Sequence, residues 1–298
     1  MRTDLFLYGR VLNREKDGCK EWPVPNASTL SWKGEPLVYM PFVYEHPEYW
    51  KKVLDMILST QNTIAMERKL MMIIYEYGNP DADNVLIQLT GDHELSGLEN
   101  EVEEIRKRTS IDFRFIAAKV DAWNYELSPW KAPAVFGNED FGDGAARTLE
   151  QILTLCTDKS KTYYIGGYSL AGLFSLWAAY QTDIFSGVAA ASPSVWFPGF
   201  IAYMKEHEIN SETVYLSLGD REEKTRNPVM SQVGNCIQKG YDWLTKCGIN
   251  CTLEWNQGNH FREPDIRTAK AFAWVLTEKE RMEQGIIYNP NVSELTDE

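Results

Sequence analysis

Ser169 is the residue of this 298-residue chain whose surroundings best suit a nucleophile. It lies in the run GYSLAG at 167–172, after the apolar segment TYYIGG and before the apolar segment LFSLWAAY. A strand, a tight turn and a buried helix, in that order, project a serine hydroxyl above a sheet. The turn needs small side chains two positions before and after the serine, and Gly167 and Ala171 supply them. We interpret Ser169 as a nucleophile, against the alternative that it only caps a buried helix.

A serine hydroxyl reacts poorly until a base takes its proton, and histidine is suited to that role near neutral pH. The chain has four histidines. His260 lies in the glycine-containing loop NQGNHF, directly after the predicted strand CTLEW. The other three, His46, His93 and His207, lie in an early segment, after an early strand and on a solvated helix. We predict that His260 is the base; the alternative is a loop histidine bonded to backbone.

The base needs a carboxylate that orients the imidazole and stabilises its charged form. Chain order places this acid after the strand TVYLSL, between the serine and the histidine. The segment GDREEK follows that strand and offers Asp220, Glu222 and Glu223. The residue types alone leave these three open, and the charged run is also compatible with a solvated loop.

Two backbone N–H groups are needed to stabilise the oxyanion of an acyl-transfer reaction. One is expected from Leu170, directly after the serine, because the N-terminus of a helix favours negative charge. The second is expected from the loop after an early strand, where Gly91 or Asp92 would donate. Only backbone atoms take part, so these side chains carry little information.

Short apolar runs alternate with helical patterns along most of the chain. This alternation predicts an α/β fold with a mostly parallel central sheet covered by helices on both faces. The strand, tight turn and helix around Ser169 indicate that it is an α/β-hydrolase fold. Ligands bind beyond the carboxyl ends of the strands in such sheets, which is where the candidate residues fall. Strands are predicted at 70–77, 84–90, 113–120, 162–167, 186–192, 213–218 and 251–255, and helices around 50–58, 98–105, 149–156, 170–180, 230–244 and 266–276.

A long connection at 121–144 follows one of these strands and carries several aromatic side chains. Long ordered loops are often functional, so Trp123 and Trp130 are predicted to line a substrate pocket. Trp196, which follows the predicted strand at 186–192, is predicted to face these two tryptophans. The alternative is a surface loop pinned by its own aromatic residues, which include Tyr125 and Phe136.

Four motifs together resemble one known family. GGYSLAGLFSLWAAY, ASPSVWF, LSLGDREE and QGNHF are similar to the esterase family that includes esterase D (S-formylglutathione hydrolase) and the enterochelin esterases. The resemblance covers residues from about 63 to 280. It implies Ser169 as nucleophile, His260 as base and Glu222 as acid, three positions after Gly219, with Asp220 as the alternative. Thr90-Gly91 replaces the His-Gly of many relatives. A role of the backbone at this position is unaffected by the replacement, but a role of the histidine side chain is lost.

Composition narrows the classes of partner. Thirty basic and forty-three acidic residues give a net charge of −13, which disfavours nucleic acid and anionic membranes. No apolar run is long enough to span a membrane, and the N-terminal residues do not resemble a secretory signal. We expect a cytoplasmic protein and a single domain over 1–298, with an N-terminal extension at 1–45 and a polar tail at 286–298. Five cysteines without regular spacing predict neither a disulfide framework nor a metal site, although Cys247 and Cys251 could form half of one.

The chemistry expected is hydrolysis of a small ester or thioester through an acyl-enzyme. The resemblance implies that no cofactor is needed. Two alternatives stay open: an acyltransferase on the same scaffold, and a non-catalytic binding module. A small-molecule ester is the expected partner, and a homo-oligomer is possible.

Overall fold

The computed structural model describes residues 11–15, 18–22, 31–32, 35–36, 72–135 and 137–284. The chain divides into two compact units, Met1–Leu70 and Met71–Glu298. In the first unit, β1 pairs with β2 and β3 with β4, both antiparallel. The predicted helix at 50–58, the polar tail and most of the N-terminal extension lie outside the described residues. Bounds are β1 Val11–Glu15, β2 Gly18–Trp22, β3 Ser31–Trp32 and β4 Glu35–Pro36.

A seven-stranded sheet forms the centre of the second unit, in the order β11-β10-β9-β8-β6-β7-β5. Only the edge strand β5 runs antiparallel, against β7, and the other pairs are parallel. This confirms the mostly parallel sheet predicted from the buried apolar runs. Bounds are β5 Ile73–Gly78, β6 Asn84–Thr90, β7 Phe113–Lys119, β8 Thr162–Tyr168, β9 Phe185–Ala191, β10 Thr213–Gly219 and β11 Asn250–Asn256.

Helices cover both faces of this sheet, as predicted. Alternate strand side chains point to opposite faces, so Ile87 and Leu86 belong to two different hydrophobic clusters. Helices α1 and α7 pack on one cluster, and α3, α4, α5 and α6 on the other. Bounds are α1 Leu98–Arg108, α2 Trp123–Glu126, α3 Ala145–Leu153, α4 Leu170–Gln181, α5 Phe200–Glu206, α6 Val233–Lys246 and α7 Pro264–Glu283.

Helix α4 is buried on every side, from Leu170 to Tyr180. A helix with no polar face must be covered all round, which explains why its sequence lacks amphipathic periodicity. Across the described ranges, the structure contains no helix both long and apolar enough to cross a membrane.

The turn between β8 and α4 is strained at Ser169, where φ is +57° and ψ is −117°. A left-handed φ is uncommon for a serine and indicates a conformation that the surrounding structure imposes. A Cβ atom on Gly167 would lie 2.6 Å from the Cβ of Ala171. Larger side chains at these two positions would collide across the turn, which is why small residues are needed on both sides of the serine. Its effect is to hold the Ser169 side chain beyond the end of the sheet.

Candidate active site

Three side chains from three separate loops form a continuous chain of contacts. His260 Nε2 lies 3.0 Å from Ser169 Oγ, and His260 Nδ1 lies 2.7 Å from Glu222 Oε2. Ser169 follows β8, Glu222 follows β10 and His260 follows β11. The carboxyl ends of parallel strands meet at one edge of a sheet, so residues far apart in sequence meet there. The arrangement is that of a nucleophile, a base and an orienting acid.

Glu222 is 7% exposed, and its second oxygen is also fully engaged. Oε1 accepts hydrogen bonds from the Gly219 N–H at 2.7 Å, the Ser192 hydroxyl at 2.8 Å and Arg267 at 2.9 Å. Burial acts to raise the pKa of Glu222, but hydrogen bonds from His260, Gly219 and Ser192 outweigh it and lower the pKa. The group is therefore a carboxylate at neutral pH and can stabilise an imidazolium.

The two competing carboxylates have other surroundings. Asp220 Oδ1 accepts the N–H of Gly258 at 2.7 Å, and the Arg221 N–H donates to the Gly258 carbonyl at 3.1 Å. Asp220 thus ties its own loop to the histidine loop without touching the imidazole. Glu223 lies against α6, where a Cβ on Gly234 would be 2.3 Å from its Oε2. Of the three candidates in GDREEK, only Glu222 reaches His260.

Arg267 is a central residue of the site that the sequence interpretation missed. It is 2% exposed, sits on α7 and forms an ion pair with Glu222 at 2.9 Å. Its second guanidinium nitrogen donates to the carbonyls of Gln257 at 3.2 Å and Asn259 at 3.0 Å. One arginine therefore orients both the acid and the loop that carries the base. Asp265, Thr268 and Lys270 lie beside it in the same helix, so the sequence does not mark Arg267 as a buried residue.

Tyr168 completes the support of the histidine. Its hydroxyl donates to the His260 carbonyl at 2.7 Å and accepts from Arg267 at 3.0 Å. Its ring packs against the imidazole at a centroid distance of 5.0 Å. Tyr168 thus holds His260 in place through both its ring and its hydroxyl.

The loop after β6 only partly matches the predicted oxyanion site. The Gly91 N–H donates to Glu94 Oε2 at 3.1 Å, so it is already engaged. No contact within the described part of the chain takes up the N–H of Asp92. Leu170 begins α4, and the first N–H groups of a helix have no partner within it. Among the described residues, the N–H groups of Leu170 and Asp92 are thus without a hydrogen-bond partner, whereas that of Gly91 has one.

A cavity of about 560 Å³ opens beside Ser169 and His260. Trp123 and Trp196 line it, as the sequence predicted. Trp130, the third residue predicted for the pocket, is not among the described residues that line this cavity. Its indole N–H donates to the Pro198 carbonyl at 2.8 Å, and its ring packs against aromatic residues of the α5 region, namely Phe197, Phe200 and Tyr203.

Much of the 121–144 connection is held by its own aromatic residues. The Tyr125 ring fills the space beside Gly142 and Gly144, where Cβ atoms would clash with it at 2.3 Å and 2.8 Å. Phe136 lies outside the described residues. Among the described aromatic residues of this connection, Trp123 lines the cavity, whereas Tyr125 packs within the connection itself.

Replacing Arg267 by methionine should destabilise the fold severely, because it leaves the buried Glu222 carboxylate without its cation. Loss of one partner of a buried pair typically costs about 3–5 kcal/mol. We expect a decrease of that order in the free energy of unfolding, measured by urea denaturation. Arg106→Met is the matched control, since Arg106 and Glu103 form a pair in which both side chains are about half exposed. Equal losses in the two variants would contradict this account.

Glu94 should make stability depend on pH. Burial raises its pKa to about 7, against the hydrogen bonds from Gly91 and Thr90 that lower it. A raised carboxyl pKa means that the folded state holds the proton more tightly than the unfolded state. Its stabilising contribution is therefore complete below the ordinary pKa of 4.5 and is lost as pH rises through about 7.

Glu94→Gln removes this dependence. Between pH 5 and pH 8 the free energy of unfolding of the wild type should fall relative to that of the variant. The change in this difference is at most about 3 kcal/mol, at roughly 1.4 kcal/mol per pKa unit. Urea denaturation at the two pH values measures the difference. A difference, variant minus wild type, that stays constant or decreases from pH 5 to pH 8 would rule out the raised pKa.

Comparison with solved structures identifies the same architecture in several hydrolases. An IroE-like serine hydrolase from Shewanella oneidensis aligns with a TM-score of 0.57 at 13% identity, covering 72% of this chain and 81% of that one. The siderophore hydrolases EstA and EstB from Aspergillus nidulans each align with a TM-score of 0.50, at 17% and 13% identity. The alignment with EstA covers 70% of this chain and 95% of EstA, and the alignment with EstB covers 68% of this chain and 94% of EstB.

No protein-family model matches the sequence, and neither does any curated protein. At these identities the structural likeness bears on the fold. The resemblance expected from the four motifs is thus confirmed at that level, together with the predicted fold class: the chain has the α/β-hydrolase fold.

Proposed function

We propose that this protein is a serine carboxylic-ester hydrolase that acts on a small ester or thioester through an acyl-enzyme. The observation that carries the proposal is the contact chain from Ser169 Oγ through His260 to Glu222, with distances of 3.0 Å and 2.7 Å. Serine, imidazole and carboxylate at these distances can generate a nucleophile without a metal or an organic cofactor.

In the first step, His260 Nε2 takes the Ser169 proton as Oγ attacks the ester carbonyl carbon. Glu222 holds Nδ1–H and stabilises the imidazolium that forms. The carbon–oxygen bond to the alcohol then breaks, and the imidazolium returns the proton to the leaving oxygen. Water then gives a proton to His260 as its oxygen attacks the acyl carbon. The bond between the acyl carbon and Ser169 Oγ breaks, the imidazolium returns the proton to Oγ, and the acid is released.

Negative charge on the carbonyl oxygen is assigned to the N–H groups of Leu170 and Asp92. Leu170 lies at the N-terminus of α4, where the helix dipole adds to the hydrogen bond. Leu170 directly follows Ser169 in the chain, so its N–H is adjacent to the nucleophile before substrate binds. Preorganised donors of this kind usually make the largest contribution to acyl-transfer catalysis.

The similar solved structures are a serine hydrolase and two siderophore hydrolases, which supports hydrolytic chemistry in this chain. The cavity beside Ser169 has room for a small molecule, and Trp123 and Trp196 give it apolar surface. These features support a small-molecule ester as the partner. An acyltransferase would share the acyl-enzyme but transfer it to an alcohol rather than to water.

Ser169→Ala should abolish turnover of aryl esters of graded acyl length. Removal of the nucleophile should lower kcat by on the order of 10³-fold or more, because only binding and the oxyanion donors remain. A fluorophosphonate probe should label the wild type and not the variant. Ser175→Ala is the matched control, since Ser175 lies on the same helix and donates only to the Ala171 carbonyl at 2.8 Å.

Equal labelling of Ser169→Ala and wild type would exclude Ser169 as nucleophile. No labelling and no turnover by the wild type would favour a binding module. Ester products formed on adding short alcohols, in excess over the free acid, would favour the acyltransferase.

Glu222→Gln should lower kcat by roughly 10³- to 10⁴-fold, because an amide cannot hold the reactive tautomer of His260 or stabilise its charge. Asp220→Asn is the control, since Asp220 binds the Gly258 N–H and not the imidazole. Its effect on kcat should be at least tenfold smaller. Steady-state kinetics with one aryl ester measures both variants, and the reverse ranking would move the acid to Asp220.

A further inference from the structure

The wall of the cavity beside Ser169 carries three carboxyl groups that the proposed reaction does not use. They belong to Glu94, Glu101 and Asp265, from the loop after β6, from α1 and from α7. No lysine or arginine is among the described residues that line this cavity. The described wall of the cavity is thus acidic and lacks a lysine or arginine to balance the carboxyl groups.

Glu101 is the most telling of the three, because it is only 2% exposed. Its Oε2 accepts the amide N–H of Gln88 at 3.0 Å, and Gln88 is also 2% exposed. The remaining oxygens, Glu101 Oε1 and Gln88 Oε1, have no hydrogen-bond partner among the residues that the structure describes. Two buried acceptors without a donor are costly, and both belong to residues that line the cavity.

The charges around Glu101 add to this cost. Burial raises its pKa well above the ordinary value, the hydrogen bond from Gln88 lowers it, and Glu94 and Asp265 raise it further. The carboxylate form of Glu101 is thus destabilised, because no cation among the described residues lies near it to offset burial and the neighbouring carboxyl groups. A positively charged donor in this place would supply both the missing hydrogen bonds and the missing charge.

The rest of the wall suits a cation on a hydrocarbon spacer. Trp123, Trp196 and Phe261 present aromatic surface to the same cavity, which also contains Ser169. Aromatic faces attract ammonium and guanidinium groups and pack against methylene groups. A volume of about 560 Å³ holds an extended chain of several atoms as well as the ester itself.

We propose that this cavity binds a cationic group, a primary ammonium or a guanidinium, carried by the ester substrate, with Glu101, Glu94, Asp265 and Gln88 as its ligands. This inference rests on the proposed hydrolase function and names the substrate class of that site. The cation belongs to either the acyl or the alcohol part of the ester, and the two arms of the experiment distinguish these sources.

The first test compares matched esters with the wild-type protein. The acyl arm uses 4-nitrophenyl 6-aminohexanoate against 4-nitrophenyl heptanoate, which replaces the ammonium by a methyl group. The alcohol arm uses 6-aminohexyl acetate against heptyl acetate, followed by acid release. We expect kcat/KM to favour the cationic ester at least tenfold in one arm. Preference for the neutral ester in both arms, or no preference in either, would overturn the inference.

The second test assigns the preference to the carboxyl groups. Glu101→Gln and Asp265→Asn should each lower the ratio of cationic to neutral kcat/KM by roughly tenfold, mainly through KM. Glu103→Gln is the matched control, because Glu103 is exposed on the same helix and pairs with Arg106. Glu101→Gln keeps the size of the side chain and replaces a buried carboxyl group by a neutral amide, so the variant is expected to fold, which thermal unfolding checks. A ratio that is unchanged in both cavity variants would place the cation elsewhere.

Failure of the hydrolase proposal is recognised separately. In that case neither ester is turned over faster than by Ser169→Ala, and the cavity is tested by binding alone. Titration calorimetry with hexylamine and with hexan-1-ol on Ser169→Ala then compares the cation with its neutral counterpart. Tighter binding of hexylamine, lost in Glu101→Gln, supports the cation site, and equal binding rejects it.

Discussion

A buried carboxylate that must be kept charged is the constraint on which the site depends. Glu222 is held by backbone, hydroxyl, imidazole and guanidinium donors from four separate parts of the chain. A charge in this position is tolerated only if every donor is in place, because an isolated buried charge costs several kcal/mol. Stabilising Glu222 therefore also positions the loop after β10, the loop after β11 and the start of α7. The imidazole of His260 is placed as a consequence.

Charge is divided unequally around the candidate nucleophile. On one side, Arg267 balances Glu222, and the hydrogen bonds of that group lower its pKa. On the other side, burial raises the pKa values of Glu94 and Glu101, and no lysine or arginine is among the described residues that line the cavity. Carboxyl groups whose pKa values are pushed in opposite directions have different tasks in one site. One group supports the base, and the others face the space in which a ligand would lie.

Steric demands govern the same region. The left-handed φ of Ser169 is maintained for two reasons. Gly167 and Ala171 are small enough to let β8 and α4 approach each other, and α4 is packed on every side. Glycines also explain how the 121–144 connection folds, since Tyr125 occupies the space beside Gly142 and Gly144. That packing, with the Trp130 hydrogen bond to Pro198, directs most aromatic residues of the connection away from the cavity.

The sequence by itself determined the alternation of strands and helices, the position of Ser169 between a buried strand and a buried helix, and His260 after the last strand. These features depend on local periodicity and chain order, which a single sequence displays. The choice of Glu222 over Asp220 needed either the family resemblance or the fold, because three carboxylates in six residues differ only in where their side chains point. The engaged Gly91 N–H, the structural role of Trp130 and the buried Arg267 were decided by tertiary structure alone. Each depends on a partner distant in sequence or on a side-chain direction within a loop, and neither leaves a periodic signal in the chain.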